Sequence, residues 1–119
     1  MAATLNLSVD QGTTYTHNFT VQNADGTVRD LTGYTARMNV RRNFDFGNIL
    51  IDATTSNGKL SLTPTQGIVT LELEPSDTSD IRFAGEALEG VYDLELVAPT
   101  GDVYRPLEGA FVINREVTR

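Results

Sequence analysis

Hydrophobic and polar residues alternate with a period of two along most of the chain, and the longest such stretch closes it. From Gly90 onward (GVYDLELVAPTGDVYRPLEGAFVINREVTR), Tyr92, Leu94, Leu96 and Ala98 share one face and Asp93, Glu95 and Val97 the other. Thr100-Gly101-Asp102 supplies a turn, and a second run extends from Val103 to Val117. This pattern predicts a long β-hairpin with one buried face and a chain that ends in a structural strand.

The same reading applies upstream. Leu5, Leu7 and Val9 predict a first strand, closed by Asp10-Gln11-Gly12. Tyr15, His17, Phe19 and Val21 alternate with Thr14, Thr16, Asn18 and Thr20, and threonine suits an exposed pleated surface. Asn23-Ala24-Asp25-Gly26 has turn chemistry, and a short segment from Thr27 to Leu31 leads to Thr32-Gly33. Tyr34, Ala36, Met38 and Val40 then alternate against Thr35, Arg37, Asn39 and Arg41. Beyond a loop from Arg42 to Asn48, the runs Ile49 to Ala53 and Leu60 to Thr63 flank Asn57-Gly58, a turn signal that predicts a further hairpin. Another turn at Thr65-Gln66-Gly67 precedes Ile68 to Glu74.

One stretch lacks this alternation. Pro75 to Ile81 (PSDTSDI) combines an N-terminal proline with Ser/Asp capping chemistry and predicts a single helical turn, with Ile81 and Phe83 plugging the core. Ala84 to Glu89 connects to the terminal hairpin. The expectation is an all-β, immunoglobulin-like antiparallel sandwich of seven to nine strands with one short helix or 3₁₀ turn, forming a single domain over residues 1–119.

Composition narrows the function classes. At 119 residues the chain is of single-domain size. Without cysteine there is no disulfide framework, thiol nucleophile or thiolate metal site, so packing alone must hold the fold. A net charge of −7 disfavours nucleic acid and anionic membrane surfaces as partners. No apolar run approaches the ~20 residues that span a bilayer, and the N-terminus has no basic segment followed by an apolar one. Synthesis in the cytoplasm is expected.

Residues that could do chemistry do not form a constellation in the sequence. His17, the single histidine, lies on a strand face with Tyr15, Phe19 and Val21, with no nucleophile or acid fixed beside it; a structural role is expected. Asn23, Asp25, Asp30, Asp77 and Asp80 have turn and cap spacing rather than the alternate-ligand pattern of a calcium loop, so no metal or cofactor is expected. Glu72 and Glu74 fall on one exposed strand face. Arg37, Arg41 and Arg42 form the basic patch, and two readings stand for it. They pair across strands with Asp93 and Glu95, or they dock an acidic partner. Val91, Val97 and Val112 are expected on outer faces, as ordinary surface valines or as contacts.

Several phrases, in order along the chain, carry a resemblance. They are Gln11-Gly12-Thr13; Asp30-Leu31-Thr32-Gly33-Tyr34-Thr35-Ala36-Arg37-Met38 with Arg41; Asn57-Gly58; Gln66-Gly67-Ile68; Asp77-Thr78; Tyr92 to Leu96; Arg105 with Leu107-Glu108-Gly109; and Glu116 to Arg119. The chain resembles a family of small tailed-bacteriophage virion proteins, and DLTGYTAR is similar to the immunoglobulin-like N-terminal module of phage baseplate upper proteins. The resemblance implies a non-enzymatic virion component, in the tail or baseplate, that links or supports fibre or receptor-binding parts. Its partners would be other virion proteins and copies of itself. A capsid decoration or neck protein is the alternative within that class, and a carbohydrate-binding module, with Phe44 and Phe46 as the available aromatics, the alternative outside it. Arg37, Arg41, Val91, Val97, Val112, Arg115, Glu116 and Arg119 are the expected partner contacts, with the last strand as a candidate edge.

Overall fold

The structure is a computed structural model that describes residues 3–42 and 49–117. Two sheets face each other across one core. The larger contains β1 (Ala3–Thr4), β2 (Leu7–Asp10), β4 (Thr35–Arg41), β5 (Ile49–Thr54), β8 (Ala87–Val97) and β9 (Val103–Asn114). Its order is β1-β9-β8-β4-β5, with β2 also against β9. The smaller contains β3 (Tyr15–Thr20), β6 (Leu60–Thr63) and β7 (Ile68–Leu73), in the order β3-β7-β6. This β3-β7-β6 and β9-β8-β4 arrangement is the B-E-D and G-F-C order of an immunoglobulin-like sandwich, with β5 added beyond β4.

Alternation decides which side chains enter. Ala36, Met38 and Val40 from β4 meet Tyr92, Leu94 and Leu96 from β8, Phe111 and Ile113 from β9, and Leu7 and Val9 from β2. Phe19, Leu60, Val69, Leu71 and Leu73 close the core from the smaller sheet, and Ile81 and Phe83 pack against its margin as expected. The helical turn α1 (Pro75–Ser79) forms where the alternation lapses, with the Glu74 backbone N–H donating to Asp77 Oδ2 at 2.7 Å. Asp77 also pairs with Lys59 at 2.9 Å. A 3₁₀ turn (Pro64–Gln66) occupies the expected turn before β7 and is closed by Gly67 in the left-handed region, φ 64°.

Three expectations are corrected. Leu5, expected in the first strand, falls with Asn6 in a break between β1 and β2, and both of these run parallel to β9, so the larger sheet is mixed. Consequently β9 lies between β8 and β1/β2, and it is not an edge; it ends at Asn114 rather than Val117. The Asn57-Gly58 turn does not close a hairpin. β5 pairs with β4 and β6 with β7, so this turn carries the chain from one sheet to the other. Its geometry comes from the Asn57 side chain, which accepts from the Thr54 and Lys59 amides and donates to the Asp52 carbonyl. The short segment from Thr27 to Leu31 connects as expected, with one bridge, Gln22 to Val28.

Candidate functional site

The outer face of the larger sheet collects most of the residues expected to make contacts. Arg37 and Arg41 (β4), Val91 and Val97 (β8) and Val112 (β9) alternate with buried neighbours and so all point away from the core. The three valines are half-buried by the side chains around them. Arg115 and Glu116 lie beyond β9, at the end of the sandwich near α1, and Arg119, with Phe44 and Phe46, lies outside the described residues.

Register sets the chemistry of this face. Arg37 stands directly opposite Glu95, and its Nε lies 2.7 Å from Glu95 Oε1. Arg41 stands opposite Val91 instead, its charge reaching Asp93 at longer range. The closest cation to Asp93 is Arg105, at 3.3 Å, which also reaches Glu95 at 3.5 Å. The β8–β9 ladder shifts between Leu94, opposite Leu107, and Leu96, opposite Tyr104. Arg105 and Pro106 therefore share the space facing Glu95. A proline has no N–H for the ladder and is at home in such a bulge. The bulge aims Arg105 between two carboxylates, a role that alternation alone does not reveal.

Around this network the face is concave, enclosing about 620 Å³. Asn6, Asn39, Arg41, Asp93, Arg105 and Glu108 are among the residues lining it. Burial pushes the Asp93 carboxyl above the usual carboxylate range. Arg105 opposes that shift, while Glu95 and Glu108 add to it. The ion pair with Arg105 and the raised Asp93 are compatible, because the desolvation of a half-buried carboxylate outweighs a partner that is itself more than half exposed. This is a surface of paired charges and amides, suited to hydrogen-bonding a polar ligand or a neighbouring protein surface.

A second polar cluster ties the chain's two ends together. Gln11 is buried, and its Nε2 donates to the Thr78 and Ile81 carbonyls at 3.2 and 3.0 Å. Its Oε1 accepts from the Glu116 amide at 3.1 Å, while the Gly12 amide donates to Thr78 Oγ1 at 2.8 Å. The Gln11-Gly12, Asp77-Thr78 and Glu116 phrases of the resemblance thus meet at one end of the sandwich.

The remaining candidates have structural surroundings. His17 stacks parallel to Tyr15, centroids 6.3 Å apart, and tilts against Phe19 at 4.7 Å. Asp25 accepts from both the amide and hydroxyl of Thr27, and Asp30 does the same with Thr32. Those bonds hold both carboxyls below their usual range. Among the described residues, no group of three or more His, Cys, Asp or Glu side chains could hold a metal ion. Nor, among the described residues, is any helix long and apolar enough to cross a membrane. No protein-family model matches the chain, and no curated protein shows significant similarity to it.

Proposed function

We propose that this chain is a non-enzymatic structural component of a tailed-phage virion, an adaptor in the tail or baseplate that links or supports fibre or receptor-binding parts. Its partners are other virion proteins and further copies of itself. The observation that carries this reading is the ordered resemblance centred on Asp30 to Arg37, and its positions form the skeleton of the sandwich. Asp30 and Thr32 make an Asx turn, Gly33 takes φ 81°, and β4 begins two residues later. Gln11, Thr78 and Glu116 join the ends. Tyr92, Leu94 and Leu96 fill the core, and Glu95 carries the outer-face network. A module whose first and last strands are tied together in this way is suited to transmit contacts between neighbours, and repeated copies add avidity to each weak contact.

The test is a cryo-EM map of purified particles together with their peptide composition. Density for this sandwich at a symmetric position in the tail or baseplate is the expected result, and absence of the chain from mature particles overturns the reading. Placement on the capsid or neck selects the other virion role. The concavity on the outer face, where amide and charged side chains stand beside apolar surface, favours a carbohydrate-binding module as second reading. Glycan binding lost in Asn39→Ala and Arg105→Ala supports that one.

A further inference from the structure

Exposed sheet edges are places where another chain can pair, and most edges here are blunted. β1 is two residues long, β2 carries Asp10, β5 carries Asp52, and β6 is four residues long between Lys59 and Pro64. β3 differs. Its six residues, Tyr-Thr-His-Asn-Phe-Thr, contain no proline, carboxylate, lysine or arginine, and among the described residues β3 pairs only with β7. The Val21 amide donates to Gly67 on the β7 side at 2.8 Å, which sets the phase of the ladder. Alternation then turns the backbone groups of Thr16, Asn18 and Thr20 toward the unpaired side.

A groove of about 470 Å³ opens at the Thr20 end of this edge, between Thr20–Asn23 and Tyr104–Leu107. Arg29 and Arg105 line it, and no Asp or Glu does among the described residues, although the chain as a whole carries −7. Arg105 is engaged by Asp93 and Glu95 on the outer face. Arg29 is held differently. Its guanidinium lies 4.2 Å above the Tyr104 ring, and Nη2 donates to the Tyr34 hydroxyl at 3.3 Å. A neutral ring and a neutral hydroxyl orient that cation without cancelling its charge, and most of its five N–H donors stay available.

From this we infer that the open edge of β3 and Arg29 together form a docking site for an extended, acidic segment of a partner protein. The segment adds a strand beside β3 and sets a Glu or Asp side chain on Arg29. The edge supplies affinity through backbone hydrogen bonds, and the groove supplies preference for a carboxylate. This does not rest on the virion reading, because the edge and the groove are the same wherever the chain resides.

The test uses the full chain and two blocked peptides, acetyl-Thr-Val-Glu-Val-Thr-Val-amide and its Gln counterpart. They are titrated while amide shifts and hydrogen exchange are followed by NMR. Slowed exchange at the Thr16, Asn18 and Thr20 amides is expected. The Glu peptide is expected to bind about tenfold more tightly than the Gln peptide, as one charge-assisted hydrogen bond provides. Arg29→Gln should abolish that difference while preserving binding, and Asn18→Pro should weaken both peptides alike. No change in exchange at those three amides, equal affinity for the two peptides, or shifts confined to the outer face overturns the inference. Should Asn18→Pro fail to fold, exchange in the unaltered chain still decides it.

Discussion

The Tyr92 hydroxyl donates a 2.6 Å hydrogen bond to the Leu5 carbonyl, joining the centre of β8 to the break between β1 and β2. Leu5 is where the N-terminal run leaves its regular path along β9, so its carbonyl has no strand partner there to satisfy it. The Tyr92 ring is buried against Phe111, and that burial, with the nearby Tyr15 second, pushes its pKa up to about 12. Tyr92→Phe keeps the ring and removes the bond, so it should cost about 1–2 kcal/mol in urea denaturation. The pH dependence has a defined sign. A tyrosine whose folded pKa exceeds its unfolded value of 10.0 contributes stability below that value and loses it as pH rises toward about 12. The variant should lack that part of the alkaline loss, while Tyr15, also raised by burial, keeps its own.

Gly109 is the other half of the same junction. It pairs with Tyr92, and a Cβ there would sit 2.2 Å from the Leu5 carbonyl oxygen and 2.8 Å from its carbon. These are backbone atoms and cannot swing aside. Gly109→Ala should therefore displace the β1–β2 break and cost about 1–3 kcal/mol. Faster exchange at the Ala110 amide, which donates to Asn6 Oδ1, would report the displacement. A variant as stable as the parent would show that the N-terminal strand is held elsewhere.

Gln11 is the second buried tie. Its amide bonds the Thr78 and Ile81 carbonyls and the Glu116 N–H; the Thr78 carbonyl also accepts from the Ile81 amide, so Gln11→Leu fills the volume but leaves the Ile81 carbonyl and the Glu116 N–H without this partner. A loss of about 2–4 kcal/mol is expected, larger than for a surface change. Gln11→Glu should also be costly, because two of the three partners are acceptors that require a donor. Thermal unfolding of the three proteins ranks these effects, and equal midpoints would refute the tie.

These two ties show where sequence reading stops. The strands β3, β4, β7 and β8 were legible because period-two alternation reports which face is buried, and both faces differ strongly in polarity. Arg37 opposite Glu95 follows from the same logic once β4 and β8 are neighbours. What alternation does not encode is which sheet a strand joins. The Asn57-Gly58 turn has hairpin chemistry, but the Asn57 side chain serves a crossing between sheets instead. Nor does alternation encode direction, so the parallel run beside β9 was hidden. The outer-face network was half legible. The sequence reading took Val103 to Val117 as one regular run, and only the register places Arg105 between Asp93 and Glu95. Gln11 and Arg29 read as polar loop residues, and tertiary contact alone gives them their surroundings.

Asp25 and Asp30 give the acid limb of the stability curve a source. Each carboxylate accepts two bonds from a threonine two residues on, which lowers its pKa. Stability from a lowered carboxyl is present above the unfolded value of 3.8 and is lost as pH falls through the folded one. Asp25→Asn and Asp30→Asn should each flatten the decline below about pH 4, measured by denaturation at stepped pH. An unchanged acid slope in both would assign it to other carboxylates.

Asp93 works in the opposite sense. Burial and the neighbouring Glu95 and Glu108 raise its pKa against the pull of Arg105, so its ionisation is disfavoured in the folded chain. A raised carboxyl contributes stability below the unfolded value of 3.8 and loses it as pH rises through the folded value. Asp93→Asn should thus gain on the parent as pH increases from about 4 toward neutrality. The lost ion pair subtracts little, because both partners are substantially exposed, 53% and 39%, and such pairs are worth about 0–1 kcal/mol. Arg105→Ala removes the opposing cation and should raise the Asp93 carboxyl further, which an NMR titration of its side-chain carbon reads directly. A carboxyl titrating below 3.8 in the parent would mean that pairing with Arg105, rather than burial, governs this face.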